Sequence, residues 1–148
     1  MKDQIKKVRG FVKILHFDKD MSLINTIDVE NLVVTAGLNW VAGRLNDPPP
    51  AFMNYIAVGT DATVPTLSET ILVAEIYRAP VSILGGSVSG NSIIYTQTIP
   101  PGAATGALQE AGIFNNGVAG TMLSRVTYPV VNKGPSDTIA ISWTITIG

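Results

Sequence analysis

From residue 138 to 147 the chain alternates without a break. Ile139, Ile141, Trp143, Ile145 and Ile147 share one parity; Ala140, Ser142, Thr144 and Thr146 share the other. A period of two marks a strand with one buried face. The same reading covers residues 8–17 and 23–29, separated by Asp18-Lys19-Asp20, which predicts an antiparallel hairpin. Between residues 35 and 45 the period changes. Leu38, Val41, Ala42 and Leu45 fall at i, i+3, i+4 and i+7, the spacing of one helical face. Thr35 is the expected N-cap, and Pro48, Pro49 and Pro50 end the helix because proline cannot continue the hydrogen-bond ladder. Trp40 lies off the stripe, as an edge packer or a contact residue.

Beyond the prolines, strands are predicted at 54–58, 73–84, 92–99, 107–114 and 122–131. Pro80 makes the second of these an edge or a bulge. Residues 61–68 read as a loop, with capping-box spacing at Thr66 and Glu69 that allows one helical turn over 68–72. Residues 85–91 read as a flexible hairpin loop, and Asn116-Gly117 is a turn signal. Ile, Val and Thr make up about 30% of the chain, which suits pleated, half-buried surfaces. Eight or nine strands with a turn every 8–12 residues predict an all-β fold. The expectation is a single-domain, jelly-roll-like β-sandwich over residues 1–148, with one short α-helix at about 36–45 and a short basic arm at about 1–9.

Composition sharpens this picture. Hydrophobic residues are 46% and charged residues 14%, with a mean hydropathy of +0.31; soluble domains carry about 25% charged residues. No apolar run reaches the roughly 18 residues of a membrane span, and charges interrupt the first 15 residues, so neither membrane insertion nor a signal peptide is expected. There is no Cys, which removes disulfides and thiolate chemistry, and His16 is the single His. Six of the ten basic residues lie in the first 19 positions, whereas residues 48–148 hold only eight charged side chains. Such a body is expected to be covered by copies of itself or by a partner, because interface cores are depleted in charge. A homo-oligomer follows, with a trimer favoured.

The basic N-terminus is set against a net charge of −1 and a pI of about 5.7, which argues against nucleic acid as the partner. Lys6, Lys7 and Arg9 are instead candidate contacts to an acidic neighbour, on an arm that either docks or extends the first strand. Glu75, Arg78, Glu110 and Arg125 all lie in apolar runs. Two carboxylates could serve a glycosidase, but with two arginines in equally apolar surroundings internal ion pairs are the expected reading, since a lone buried charge is too unfavourable. At least one such pair is expected to link different strands. The Gly-rich stretch at 85–90 lacks the Lys-Ser/Thr of a phosphate loop. Trp40, Tyr55, Tyr77 and Tyr95 are candidates for a sugar platform, or for core and interface. No catalytic residue, cofactor or metal is expected.

Five stretches stand in a fixed order: NLVVTAGL at 31–38, AVGT at 57–60, ETILVAEIYR at 69–78, QEAGIF at 109–114 and GTMLSR at 120–125, followed by the Trp143 strand. This set resembles a group of small tailed-bacteriophage virion proteins, tail-fibre-like or capsid-decorating. Asp61 departs from it, standing where a second Gly is common. The resemblance implies a non-enzymatic virion role, made in the host cytoplasm. The first expectation is a capsid decoration (cement) protein bound to the major capsid protein; the alternative is a tail-fibre or baseplate accessory, or a carbohydrate-binding receptor module.

Overall fold

The computed structural model describes residues 7–148. It is all-β and sandwich-like. Nine strands and one helix follow in the order β1 (Val8–Phe17), β2 (Leu23–Val33), α1 (Thr35–Gly43), β3 (Tyr55–Gly59), β4 (Glu75–Pro80), β5 (Ser87–Ser89), β6 (Ser92–Ile99), β7 (Gly106–Phe114), β8 (Met122–Lys133) and β9 (Thr138–Ile147). All pairings are antiparallel, and the strands run in the order β4-β3-β7-β8-β2-β1-β9-β6-β5. The sheet curls at β2. Its body pairs with β1, while only Leu32 and Val33 pair with β8. One layer is therefore β2-β1-β9-β6-β5 and the other β4-β3-β7-β8. Gln97 of β6 reaches across the open side, donating to the carbonyls of Ile56 and Ala79 at 3.0 and 2.6 Å.

The alternation of β9 determines its burial. Ile139, Ile141, Trp143 and Ile145 enter the core; Ile147, at the strand end, is exposed. They meet Val12 and Ile14 of β1, Tyr95 and Ile99 of β6, and Ile56, Val58, Leu108, Ile113 and Leu123 from the other layer. Asn31 accepts the indole N–H of Trp143 at 2.6 Å, which satisfies the one polar atom of the largest buried side chain. A smaller cluster of Val34, Ala57, Leu72, Phe114 and Met122 lies on the outer face of the second layer. Residues 60–74 cover it, so β7 is buried on both faces from Glu110 to Phe114.

Four local expectations are corrected. Thr35 is the first helical residue, not the cap: Val34 occupies the N-cap position and no side chain caps the helix. The helix turns only part of its apolar stripe inward. Val41 packs on the core with the off-stripe Trp40 and the buried Gly37, whereas Leu38 and Ala42 are exposed and Leu45 lies exposed beyond the helix end. The reason is backbone contact: a Cβ at Gly37 would overlap the Leu123 carbonyl, so the helix seats its glycine against β8. Residues 68–72 form no helical turn, because the amides of Val73 and Ala74 and the side chain of Glu69 are held elsewhere. Finally, the predicted loop at 85–91 contains the short strand β5. Val8 and Arg9 begin β1 and pair with Ile147 and Thr146, so the strand expected at 8–17 takes up the last residues of the arm expected at about 1–9; Lys6 and the other residues of 1–6 lie outside the described residues. No helix among the described residues is long and apolar enough to cross a membrane.

Candidate functional site

The structure divides the four charged residues of the apolar runs into two pairs. Arg125 of β8 and Glu110 of β7 are both fully buried and meet at 2.9 Å. Arg125 Nε also donates to Glu110 Oε2 at 2.9 Å, and its Nη1 donates to the Thr63 carbonyl at 2.8 Å. Glu69 lies at 3.3 Å and Asp61 at 3.4 Å, so one guanidinium faces three carboxylates. Glu110 in turn accepts the amides of Ala74 and Val73 at 2.7 and 3.1 Å. The cluster therefore straps residues 61–74 onto the outer face of β7 and β8. Its donors and acceptors saturate one another, as a buried charge requires.

Arg78 and Glu75 form the second pair, within β4. Arg78 Nε and Nη2 bind the Glu75 carboxylate in bidentate fashion at 2.8 Å each. Its Nη1 donates to the carbonyls of Asn116 and Ala119, and the guanidinium lies 3.7 Å from the Phe114 ring centroid. This arginine holds the β7–β8 connection as Arg125 holds the longer loop. The two carboxylates that could have formed a hydrolytic pair are thus each committed to an arginine.

Residues 57–60, 69–78, 109–114 and 120–125 all meet at these straps. Gly59 of the AVGT stretch has no room for a Cβ, which would strike the Ala74 carbonyl and Glu110. Asp61, the departure from the pattern, accepts the Thr63 amide at 2.7 Å and faces Arg125. Hydrogen bonds from Thr63, aided by Arg125, hold its carboxyl below the usual carboxylate range. Burial, reinforced by the Glu110 charge, pushes the Tyr128 phenol upward; its hydroxyl donates to the Glu110 carbonyl.

The remaining charges of residues 48–148 are also internal. His16 meets Asp137 at 2.9 Å, and Asp137 accepts the Gly134 amide at 2.8 Å. These two contacts, His16 first, lower the Asp137 pKa. Lys133 is buried and donates to the Pro100 carbonyl; burial lowers its pKa. All eight charged side chains beyond residue 47 are therefore tied to neighbours in the fold. Sequence reasoning counted these charges but missed the roles of Asp61, Glu69 and Asp137, since loop carboxylates carry no periodic signal. Among the described residues no group of three or more His, Asp or Glu is arranged to hold a metal ion.

The concave surface lies elsewhere. Two adjoining cavities of about 440 and 380 Å³ open between α1 and the β5–β6 hairpin, sharing Trp40, Arg44, Val88, Ile93 and Tyr95. Leu45 is 92% exposed at its edge, and Val88 and Leu84 are 73% exposed. Trp40 donates to the Ala51 carbonyl at 2.7 Å, which fixes its ring. The four aromatics considered as a sugar platform do not assemble: Trp40 and Tyr95 meet here, Tyr95 is only 2% exposed, and Tyr55 and Tyr77 lie on β3 and β4. Burial pushes the Tyr95 phenol up to about 12. Lys7 and Arg9 are exposed at the same end of the first layer, where the Lys7 carbonyl accepts the Gly148 amide.

No family model, curated protein or solved structure matches the chain.

Proposed function

We propose that this chain is a structural protein of a tailed-bacteriophage virion, a capsid decoration protein that binds the major capsid lattice as a homo-oligomer. The observation that carries the reading is the distribution of charge. The eight charged side chains of residues 48–148 are all engaged by ion pairs or hydrogen bonds within the fold, although Glu75 and Asp61 keep part of their surface in solvent. Large apolar groups face outward instead, among them Leu45, Val64, Leu84, Val88 and Val118. An apolar, charge-poor surface of this kind is suited to cover in an assembly. The strapped loops suit a scaffold, because each long connection is pinned by a multidentate arginine. A trimer that bridges neighbouring capsomers is the favoured form. Lys7 and Arg9, both exposed, are the side chains that would meet acidic groups of the lattice. A catalytic role has no comparable support, since Glu110 is fully buried with both oxygens engaged.

The test is localisation. Virions of the phage that encodes this chain are labelled with antibody raised against it and imaged by electron microscopy. Labelled heads are expected. Labelled tails would replace the capsid reading by the tail-fibre or baseplate alternative. Unlabelled particles, with the protein absent from their denaturing gels, would overturn both.

A further inference from the structure

Two exposed apolar features lie at diagonally opposite corners of the first layer. One is the groove between α1 and the β5–β6 hairpin, beside the end of β9 at Ile145 and Ile147. The other is the β1–β2 turn, at the far end of β1, where Phe17 pairs with Thr138 at the start of β9. A ten-residue strand separates them, roughly 33 Å at about 3.3 Å per residue. No copy can fill its own groove with its own turn.

The turn is built to be presented. Asp18 accepts the amides of Asp20 and Ser22 through its carboxylate at 2.9 and 3.0 Å, and its own amide donates to the Ser22 carbonyl at 3.0 Å. Met21, Leu23 and Ile24 are 60%, 53% and 55% exposed. Leu23 pairs with Phe17 and Asn25 with His16, which leaves Ile24 as the extra residue of a bulge; residues 23–26 are all exposed, so the start of β2 stands clear of the body. Along this stretch β2 has only β1 as a neighbour. A rigid tip with apolar side chains loses little conformational entropy on docking.

The charges of the two features are complementary. Arg44 stands at the groove, 5.9 Å from the Trp40 ring centroid, and has no carboxylate partner among the described residues. Its guanidinium donates to the Pro50 carbonyl. Arg44 is the charged side chain that lines the groove; Arg9 lies at the same end of the layer but pairs with Thr146 and so faces away from Ile145 and Ile147. The turn carries Asp18 and Asp20 against Lys19 and is net negative.

We propose that the groove receives the β1–β2 turn of a second copy of this chain, with Met21, Leu23 and Ile24 against Val88 and Leu45 and with Asp20 toward Arg44. The contact is heterologous, because the two patches differ. Such contacts close into rings or continue as filaments; the favoured trimer is a ring of this type. The inference deepens the homo-oligomer of the proposed function but does not need the capsid.

Sedimentation velocity at tens of micromolar tests it, on the wild type, on the groove variant Val88→Asp and on the tip variant Leu23→Asp. The wild type is expected to sediment as a trimer or larger, and each variant alone as a monomer. An equimolar mixture is expected to form a dimer and stop there, since one intact groove meets one intact tip. Near-UV circular dichroism of Trp40 and Trp143 checks that each variant is folded, and Leu45→Asp and Ile24→Asp replace any that is not. A wild type that is monomeric or stops at a dimer overturns the proposal, as does a folded variant that assembles like the wild type or a mixture that stays monomeric. A mixture that dimerises while virions remain unlabelled sinks the capsid reading alone; labelled heads with no dimer in the mixture sink the head-to-tail contact alone.

Discussion

The outer face of β7 and β8 and the groove beside α1 invert the usual arrangement. At the first, a guanidinium and a carboxylate are wholly buried; at the second, Leu45 and Val88 stand in solvent. Both follow from one property of the sequence, its scarcity of charge. A buried arginine is tolerable only where carboxylates and carbonyls surround it, and Arg125 has drawn three carboxylates to itself. Those acids are then engaged by one internal cation, while large apolar side chains stand exposed elsewhere. The buried region holds the loops of one copy. The exposed region is the one that the proposed assembly would cover.

The sharpest way to break this contrast is Arg125→Met. It leaves Glu110 buried without its cation, and losing one member of a buried pair costs about 3–5 kcal/mol. For a chain of this size the melting temperature should fall by roughly 10 °C. An unchanged melting curve would remove the cluster from the account of stability. Replacing Glu110 by Leu as well should restore only part of the loss, because the Val73 and Ala74 amides then lack their acceptor.

Next in size is Gly37→Ala. The new methyl group must displace the Leu123 carbonyl or the helix itself, at a cost of about 1–3 kcal/mol. Urea unfolding measures it. Stability equal to that of the wild type would mean that the helix shifts freely, and with it the wall of the groove.

Acid addresses the carboxylates together. Asp61 and Asp137 have pKa values lowered in the folded state. Their contribution is therefore complete above the unfolded value near pH 4 and is lost as pH falls through the lower folded values. The urea midpoint should decline below about pH 4, and Asp137→Asn should flatten that decline. An acid slope unaltered in Asp137→Asn would assign the decline to other groups.

The smallest effect is expected at the groove. Leu45→Ser should change the unfolding free energy by no more than about 0.5 kcal/mol, as for other exposed positions, while weakening the binding of an apolar fluorescent dye. A large destabilisation would show that Leu45 packs within its own copy.

Much of this was legible in the chain. The strict alternation of residues 138–147 placed β9 and its buried face, because a period of two admits one inward side per strand. The positions of Glu110 and Arg125 in apolar runs called for partners, because an unpaired charge there is untenable. The tertiary structure alone decided who those partners are. Glu110 and Arg125 come together across β7 and β8, while Asp61 and Glu69 reach Arg125 from more than 50 residues away in the chain. It also decided which side of α1 faces inward. The apolar stripe ran through Leu38, Val41, Ala42 and Leu45, but with Gly37 seated on the Leu123 carbonyl only Val41 packs on the core; Leu38 faces solvent and Leu45 lies past the helix end. Periodicity reports the average preference of side chains for a face; it carries no information on how near two backbones must pass. That distance is settled by the sheet the helix lies against, and it is what leaves the groove open.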